Sequence, residues 1–292
     1  MNAVVFGGAG FLGSHVADAL TARGHKVIIF DKAASAYLQP SQEMIVGDIL
    51  DEKAVKKAVK GVDFVYNLVA VSDIEQAMIM PPETIKVNVL GNINVLEAAR
   101  EAKVKRFIFS SSIYVYSDVG SFYKSSKQSC ELFIESYHDV FGLDYTILRY
   151  GSLYGPRCDE RNWIYMILKQ ALLEKKITRE GDGEEIREYI HVQDAAKLSV
   201  DILSEEYKNR CVIITGNEQM KIRNLMVMIK EILKGQVELE FLPVKSKAHY
   251  EITPYAFNPQ VASKVRGKEY FDMGQGILSI LKEIHREHIM KK

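Results

Sequence analysis

The first thirteen residues constrain the fold more than any other stretch of the chain. A short apolar run, Ala3 to Phe6, breaks into Gly7-Gly8-Ala9-Gly10-Phe11-Leu12-Gly13 and continues as Ser14 to Leu20, an order that reads strand, glycine turn, helix. Glycines at 7, 10 and 13 have separate jobs: leaving the strand with unusual dihedrals, admitting a pyrophosphate to the backbone N–H groups, and letting the helix lie close to the sheet. Phosphates would then sit on the helix N-terminus, where open amides and the macrodipole favour negative charge. Glycine triplets also occur in plain tight turns. What separates the two readings is the next apolar run, Lys26 to Phe30. It ends in Asp31, at about the ~20-residue spacing of a carboxylate that binds an adenosine ribose. Such a carboxylate accepts hydrogen bonds from both ribose hydroxyls and repels a 2′-phosphate, so the expected dinucleotide is NAD rather than NADP, with Lys32 placed to soften the repulsion.

Further apolar runs alternate with helical patterns. Met44 to Val46 reads as a strand ending in Gly47-Asp48-Ile49, and Glu52 to Val59 as a helix. Val62 to Ala70 is a buried strand, and a loop through Pro81-Pro82 leads into a long helix from about Glu83 to Lys103. Arg106 to Phe109 runs into Ser110, Ser111 and Ser112; a helix over Ser126 to Phe141 and a strand over Asp144 to Leu148 follow. Parallel strands need crossovers, so this alternation predicts an α/β fold, a doubly wound parallel sheet of the Rossmann type. Composition changes near Tyr150, and Cys211 to Ile214 reads as one more strand at the sheet edge. A helix from Ile222 to Leu233, a strand from Glu238 to Leu242 and a basic amphipathic helix from Gly276 to Ile289 predict a smaller C-terminal α/β lobe. The expected division is a nucleotide domain at 1–150, rejoined by 190–215, and a substrate lobe from 151–189 and 216–292.

Charge excludes some functions: 38 basic residues balance 38 acidic ones, leaving no global field to steer nucleic acid or an anionic membrane. With a strand beginning almost at Met1 there is no room for a signal peptide, and no apolar run reaches the ~18 residues of a membrane span, so a cytoplasmic protein is expected. Cys130, Cys158 and Cys211 form neither a disulfide framework nor a metal-ligand spacing and read as small core residues. His285 and His288 read as a solvated helix face, and no metal is expected.

Ligands of doubly wound sheets lie beyond the carboxyl ends of the strands, which singles out Asp31, Asp48, Asn67, Ser112 and Arg149-Tyr150. Soon after Ser112 come Tyr123 and Lys127, four apart; in the first turn of a helix they share a face. A nearby ammonium favours a phenolate, and bringing a phenol from ~10 to ~7 takes roughly 4 kcal/mol, within reach of one lysine and a cationic nicotinamide in a dry site. Tyr165 and Lys169 have the same spacing, but they lie past the last strand of the nucleotide-binding half in an apolar helix, where a packing role is expected.

Together these motifs resemble the extended short-chain dehydrogenases/reductases, specifically the NAD-dependent epimerase/dehydratase family that acts on nucleotide sugars. The resemblance covers nearly the whole chain. Gly7 to Gly13 matches the cofactor turn, Gly47-Asp48-Ile49 the adenine-contacting aspartate with its apolar neighbour, and Asn67-Leu68-Val69-Ala70 stands where the family usually has His-Leu-Ala-Ala. Asn88 to Ala99 matches the long helix, and Phe109 to Ser112 with Tyr123 and Lys127 the catalytic Ser-Tyr-Lys set. Leu148 to Arg157 resembles the crossing into the substrate lobe, and Arg187 to Asp194 the segment whose arginine binds the diphosphate.

The resemblance implies NAD held by Gly7, Gly10, Phe11, Leu12, Gly13, Asp31, Lys32, Asp48, Ile49, Leu68, Val69, Ala70, Asn88, Ser110, Tyr123, Lys127 and Tyr150. It implies a nucleotide-diphosphate sugar bound by Ser111, Ser112, Ser152, Arg157 and Arg187. In the implied chemistry Tyr123, as phenolate, takes the proton of a sugar hydroxyl, usually at C4, while hydride passes to NAD; Lys127 holds the nicotinamide ribose and Ser112 the reacting oxygen. Arg187, with Arg157, would grip the diphosphate bidentately, against the plainer reading of an ion pair with Glu184 or Glu188. Three departures stand out. Only ten residues separate Ser112 from Tyr123; Ile113-Tyr114 replaces the Asp-Glu pair of dehydratases; and Ser152 stands where many epimerases have asparagine. Residue identity leaves open a C4 epimerase, a C4 dehydrogenase, a keto-sugar or small-ketone reductase, and a non-catalytic NAD-binding scaffold, the last opposed by the intact Ser112, Tyr123 and Lys127. The resemblance also implies a homodimer through the outward faces of the helices at 83–103 and 123–141.

Overall fold

In the computed structural model, which describes residues 1–216, 219–243 and 251, the alternating pattern resolves into a layered α/β architecture. In chain order the elements are β1 (Asn2–Phe6), α1 (Phe11–Ala22), β2 (Lys26–Asp31), β3 (Gln42–Val46), α2 (Glu52–Val59), β4 (Phe64–Asn67), α3 (Ile74–Ile79), α4 (Pro81–Ile85), α5 (Gly91–Ala102), β5 (Arg106–Ser112), α6 (Ser121–Phe141) and β6 (Tyr145–Tyr150). There follow β7 (Ser152–Tyr154), α7 (Trp163–Leu173), β8 (Lys176–Glu180), β9 (Ile186–His191), α8 (Val192–Asp201), β10 (Arg210–Ile214), β11 (Gln219–Lys221), α9 (Ile222–Ile232) and β12 (Glu238–Leu242). The helix expected at 276–289, with His285 and His288, lies outside the described residues.

Seven strands form one sheet in the order β10-β6-β5-β4-β1-β2-β3, every pair parallel. Both faces are covered, which is why the strands read as nearly continuous apolar runs. The two-residue period of a strand divides the core. From β5 and β6, Phe107, Phe109 and Ile147 pack with Val95, Leu96, Cys130 and Ile134 of α5 and α6. Ile108, Leu148 and Tyr150 face the other way, toward Val16, Ala17 and Leu20 of α1 and Ala195, Ala196 and Val200 of α8. Strand order reverses at β1, whose neighbours are β2 and β4, so the crevice beyond its carboxyl end opens where the glycine turn lies. After Tyr150 the chain builds two small sheets: β12-β8 packs with α7 and α9 over a core of its own, Leu153 and Ile190 of β11-β9-β7 pack on the α1 and α8 side of the main core, and β10 returns to the edge of the main sheet.

Four expectations are corrected. The long helix at 83–103 is α4, a π-helical turn over Lys86–Leu90, and α5; α3 occupies part of the presumed loop, capped by Asp73, which accepts from the Gln76 N–H at 2.7 Å. Helix α6 begins at Ser121 rather than Ser126, entered from Gly120 at φ +107°, which puts Tyr123 in its first turn. Of the cysteines only Cys130 is buried; Cys211 is exposed, because β10 is an edge strand. Tyr165 is 38% exposed rather than packed in a core. No helix among the described residues is long and apolar enough to cross a membrane.

Candidate active site

The turn after β1 has the geometry its spacing requires. Gly7 sits at φ +78° and donates its N–H to the Phe30 carbonyl at 2.8 Å, which ties the turn to β2. A Cβ on Gly13 would lie 2.1 Å from the Gly7 carbonyl oxygen, so only glycine lets α1 start this close to the turn. Gly10 is the N-cap of α1 and no side chain caps it, so the amides around Phe11 and Leu12 face the crevice without a side-chain acceptor. The Asp31 carboxylate accepts from Ala9 N–H at 3.1 Å and from Ala33 N–H at 3.4 Å, and exposed Lys32 follows it. This uncapped helix end, close-packed turn and adjacent carboxylate fit the phosphates and ribose of a dinucleotide.

Other cofactor candidates divide. The Leu68 and Val69 backbone lies 3.0–3.2 Å from where a Cβ on Gly7 would stand, so the segment Leu68-Val69-Ala70 borders the turn. Asp48 accepts from Leu50 N–H at 2.9 Å, and Ile49 is buried against Gly91, its own carbonyl held by the Asn94 amide at 3.1 Å. Asn88 lies in the π-helical turn. Its amide accepts from Val71 N–H (2.7 Å) and donates to the Val71 carbonyl (3.2 Å) and the Ser126 hydroxyl (2.9 Å), so it braces a loop against α6 instead of facing a ligand. The Tyr150 hydroxyl points into the α8 side of the sheet, donating to Ser199 Oγ at 2.5 Å, which donates on to the Ala195 carbonyl. A cofactor contact through that hydroxyl is therefore withdrawn.

At the carboxyl end of β5 the structure brings Ser112, Tyr123 and Lys127 together. Lys127 is 2% exposed, donates from Nζ to the Ser110 carbonyl at 2.6 Å, and stands 5.8 Å from the Tyr123 ring centroid and 4.8 Å from that of Phe109. Burial pushes its ammonium down to about 8, opposed by the Glu131 carboxylate; the neighbouring Cys130 thiol is pushed up to about 12 by burial and is uncharged there. The Tyr123 phenol is pushed up to about 12 by burial, opposed by its hydrogen bond with Ser112. The expected lowering of the phenol needs the cationic nicotinamide as well as the lysine: in the chain by itself, loss of water costs a phenolate more than Ser112 returns, and Lys127 spends a donor on Ser110. The short Ser112–Tyr123 connection folds compactly, with the Tyr114 ring edge-on to Tyr123 at 6.3 Å and against Gly120.

Ser111 is not a ligand-facing residue. Strand alternation turns it away from Ser110 and Ser112, and it is buried, donating to Glu131 Oε1 at 2.5 Å. Glu131 also receives the Arg149 guanidinium through Nε (3.0 Å) and Nη2 (2.6 Å), and Arg149 Nη1 donates to the Tyr116 hydroxyl. This cluster went unread, although its signal was Glu131 one helical turn beyond Lys127. Ser152 lies in β7, in register with Tyr189 of β9. Arg187, in β9, is buried and donates to the Ile186 carbonyl at 3.0 Å, whereas Glu184 pairs with Lys221 (2.6 Å) and Arg223 (3.2 Å). Arg157 does not join Arg187 in a clamp. Its backbone, at φ +68°, turns it to α1, where it binds Asp18 Oδ2 at 2.7 Å and lies 4.5 Å over Tyr37, beside the His15 Nε2 bond to the Pro156 carbonyl at 2.9 Å.

The family model for the NAD dependent epimerase/dehydratase family matches residues 3–214. The chain is 31% identical over 248 residues to a putative UDP-glucose 4-epimerase of Methanocaldococcus jannaschii, covering 78% of this chain and 81% of that protein. The crystal structure of UDP-glucose 4-epimerase with UDP-glucose from Thermotoga maritima superposes with a TM-score of 0.80 at 27% identity, covering 88% of this chain and 90% of the other. UDP-glucuronic acid 4-epimerase of Bacillus cereus, in complex with UDP-glucuronic acid and NAD, gives a TM-score of 0.79 at 25% identity over 90% of this chain and 95% of the other.

Proposed function

The chain belongs to the NAD-dependent epimerase/dehydratase family, and from that premise we propose that it oxidises C4 of a nucleotide-diphosphate sugar and returns the hydride to the opposite face, as a C4 epimerase. The observation that carries the C4 oxidation is the meeting of Ser112, Tyr123 and Lys127 at the carboxyl end of β5, and the likeness to UDP-sugar 4-epimerases supports the return of the hydride. Bound at the glycine turn, NAD supplies the hydride acceptor and a positive charge. Tyr123 takes the proton of the C4 hydroxyl, for which it must be a phenolate. From about 12, a value near 7 requires about five units, roughly 7 kcal/mol, so the free enzyme holds Tyr123 protonated and catalysis waits on a filled site. Lys127 anchors the ribose and adds its charge, and Ser112 donates to the oxygen that exchanges its proton with Tyr123.

Ile113 is buried and Tyr114 carries only a phenol, so these positions provide no carboxyl pair for eliminating water, which argues against a dehydratase. Arg187 is the diphosphate ligand in this proposal, and among the described residues the substrate lobe is 151–189 with 219–243. Exposed apolar side chains on the outer faces of the dimer helices, among them Leu90, Leu132, Phe133 and Val140, support a homodimer. The NAD and nucleotide-sugar chemistry supports a cytoplasmic enzyme.

The test is to denature the purified protein, identify the dinucleotide released, and offer UDP-, GDP-, CDP- and dTDP-sugars while following the NADH absorbance. An isomerised sugar with no net absorbance change, abolished by Tyr123→Phe, is the expected result. Stoichiometric NADH with a ketone product would make the enzyme a dehydrogenase; no dinucleotide and no response to any sugar would refute the proposal.

A further inference from the structure

Behind the reaction centre, four pieces of chain meet on one buried carboxylate. Glu131 lies on α6 four residues after Lys127. It accepts from Ser111 of β5 at 2.5 Å and, in a two-pronged contact, from Arg149 of β6 at 3.0 and 2.6 Å. Arg149 reaches on to the Tyr116 hydroxyl and lies 4.7 Å over the Tyr116 ring. Tyr116 closes the single 3-10 turn Ile113–Tyr116 that begins directly after Ser112 and carries Tyr114 against Tyr123. A second bond, Gln128 Nε2 to the Val115 carbonyl at 2.9 Å, ties the same turn to α6. The cluster therefore cross-links the strand that ends in Ser112, the turn that follows it and the helix that carries Tyr123 and Lys127.

A buried ion pair seldom adds stability over apolar side chains of the same size, whereas a bidentate pair holds its partners in one geometry. Resting on the reading of Ser112, Tyr123 and Lys127 as the reaction centre, we infer that Glu131 and Arg149 are its positioning residues: they lock α6 in register with Ser112 and fix a negative charge one turn from the Lys127 ammonium. The groups around that ammonium are Tyr123, Cys130 and Glu131 on its own helix, the Ser110 carbonyl and Phe109 ring from β5, and Arg149 from β6, whose charge is bound to Glu131. Burial pulls the ammonium down to about 8, and Glu131 opposes the pull. Without that carboxylate the lysine discharges at lower pH, and the enzyme, which needs it charged, loses activity there.

The experiment compares the parent enzyme, loaded with NAD, with Glu131→Gln, Arg149→Met and the double variant Glu131→Leu/Arg149→Met. Both singles are expected to lower kcat about 100-fold with KM within about threefold, the effect of a misplacement of about 1 Å. In Glu131→Gln the basic limb of the kcat profile moves down by about half a pH unit or more. The double variant regains a urea midpoint close to the parent's but not its kcat. Recovery of kcat to within about threefold of the parent in the double variant, or an unmoved basic limb in Glu131→Gln, would overturn the inference and leave the cluster a structural brace. A substrate-free readout separates this from failure of the functional reading. In NAD-free protein, the stability difference between a Lys127→Met background and its Lys127 counterpart should change with pH at lower values once Glu131 is Gln. Were no nucleotide sugar turned over by the parent, the functional reading would fall, while this comparison would still decide whether Glu131 holds the charge on Lys127.

Discussion

Lys127→Met should stabilise the NAD-free protein at pH 7 while abolishing its activity. Lys127 is buried, and its ammonium falls from the model-peptide value of 10.5 to about 8 on folding. Below pH 8 both states carry the proton, and the native state bears the whole cost of the buried charge: about 2.5 units, or about 3 kcal/mol. Methionine fills similar space without charge. It leaves the Ser110 carbonyl, now bonded to Nζ at 2.6 Å, without this donor, which returns about 1–2 kcal/mol. The net gain at pH 7 is about 1–2 kcal/mol, a rise of about 0.3–0.7 M in the urea midpoint for a slope of about 3 kcal/mol per molar. Between pH 8 and 10.5 the unfolded chain holds the proton that the native lysine has released, so parental stability rises with pH relative to the variant. At pH 9.5 the cost has fallen to about 1.4 kcal/mol and the two midpoints should nearly coincide. Urea unfolding of both proteins at pH 7 and 9.5 checks this. A variant less stable than the parent at pH 7, or a gap that does not change with pH, would refute the account of Lys127 as a strained, charged group.

Gly13→Ala forces a Cβ to 2.1 Å from the Gly7 carbonyl, backbone against backbone, and opening the turn should cost about 3 kcal/mol and weaken NAD about 100-fold. Loss of the NAD-induced shift in melting temperature would show it. Asp31→Ser removes the carboxylate held at the turn by Ala9; NAD should bind about tenfold more weakly and NADP gain relative to it, measured by titrating both dinucleotides. Arg106→Leu strips the donors from the Ile202 and Ser204 carbonyls, now bonded at 2.9 and 3.0 Å, and should destabilise the fold by about 2–4 kcal/mol in urea unfolding, far from the reaction centre.

Much of this protein was legible because it depends on residues close together in the chain. The glycine spacing at 7, 10 and 13, the carboxylate closing β2, and the Tyr123–Lys127 separation each express a local steric rule or a helical period, and the parallel pairing of the sheet follows from alternating strands and crossovers, whereas the strand order is set by the tertiary structure. Ser111 was readable in principle: two-residue alternation separates it from Ser112, provided β5 is known to run to Ser112. Other features had no local signal. Arg157 turns to Asp18 through a left-handed backbone, and the π-helical turn at Asn88 answers to Val71 and Ser126, each set by segments far along the chain. The charge states at the centre show the division most clearly. That a tyrosine and a lysine share one face of α6 was determined by their spacing; that the phenol is held up near 12 and the ammonium pulled down toward 8 was decided only by how the surrounding strands and turns exclude water, because desolvation is a property of the packed volume and not of any stretch of sequence.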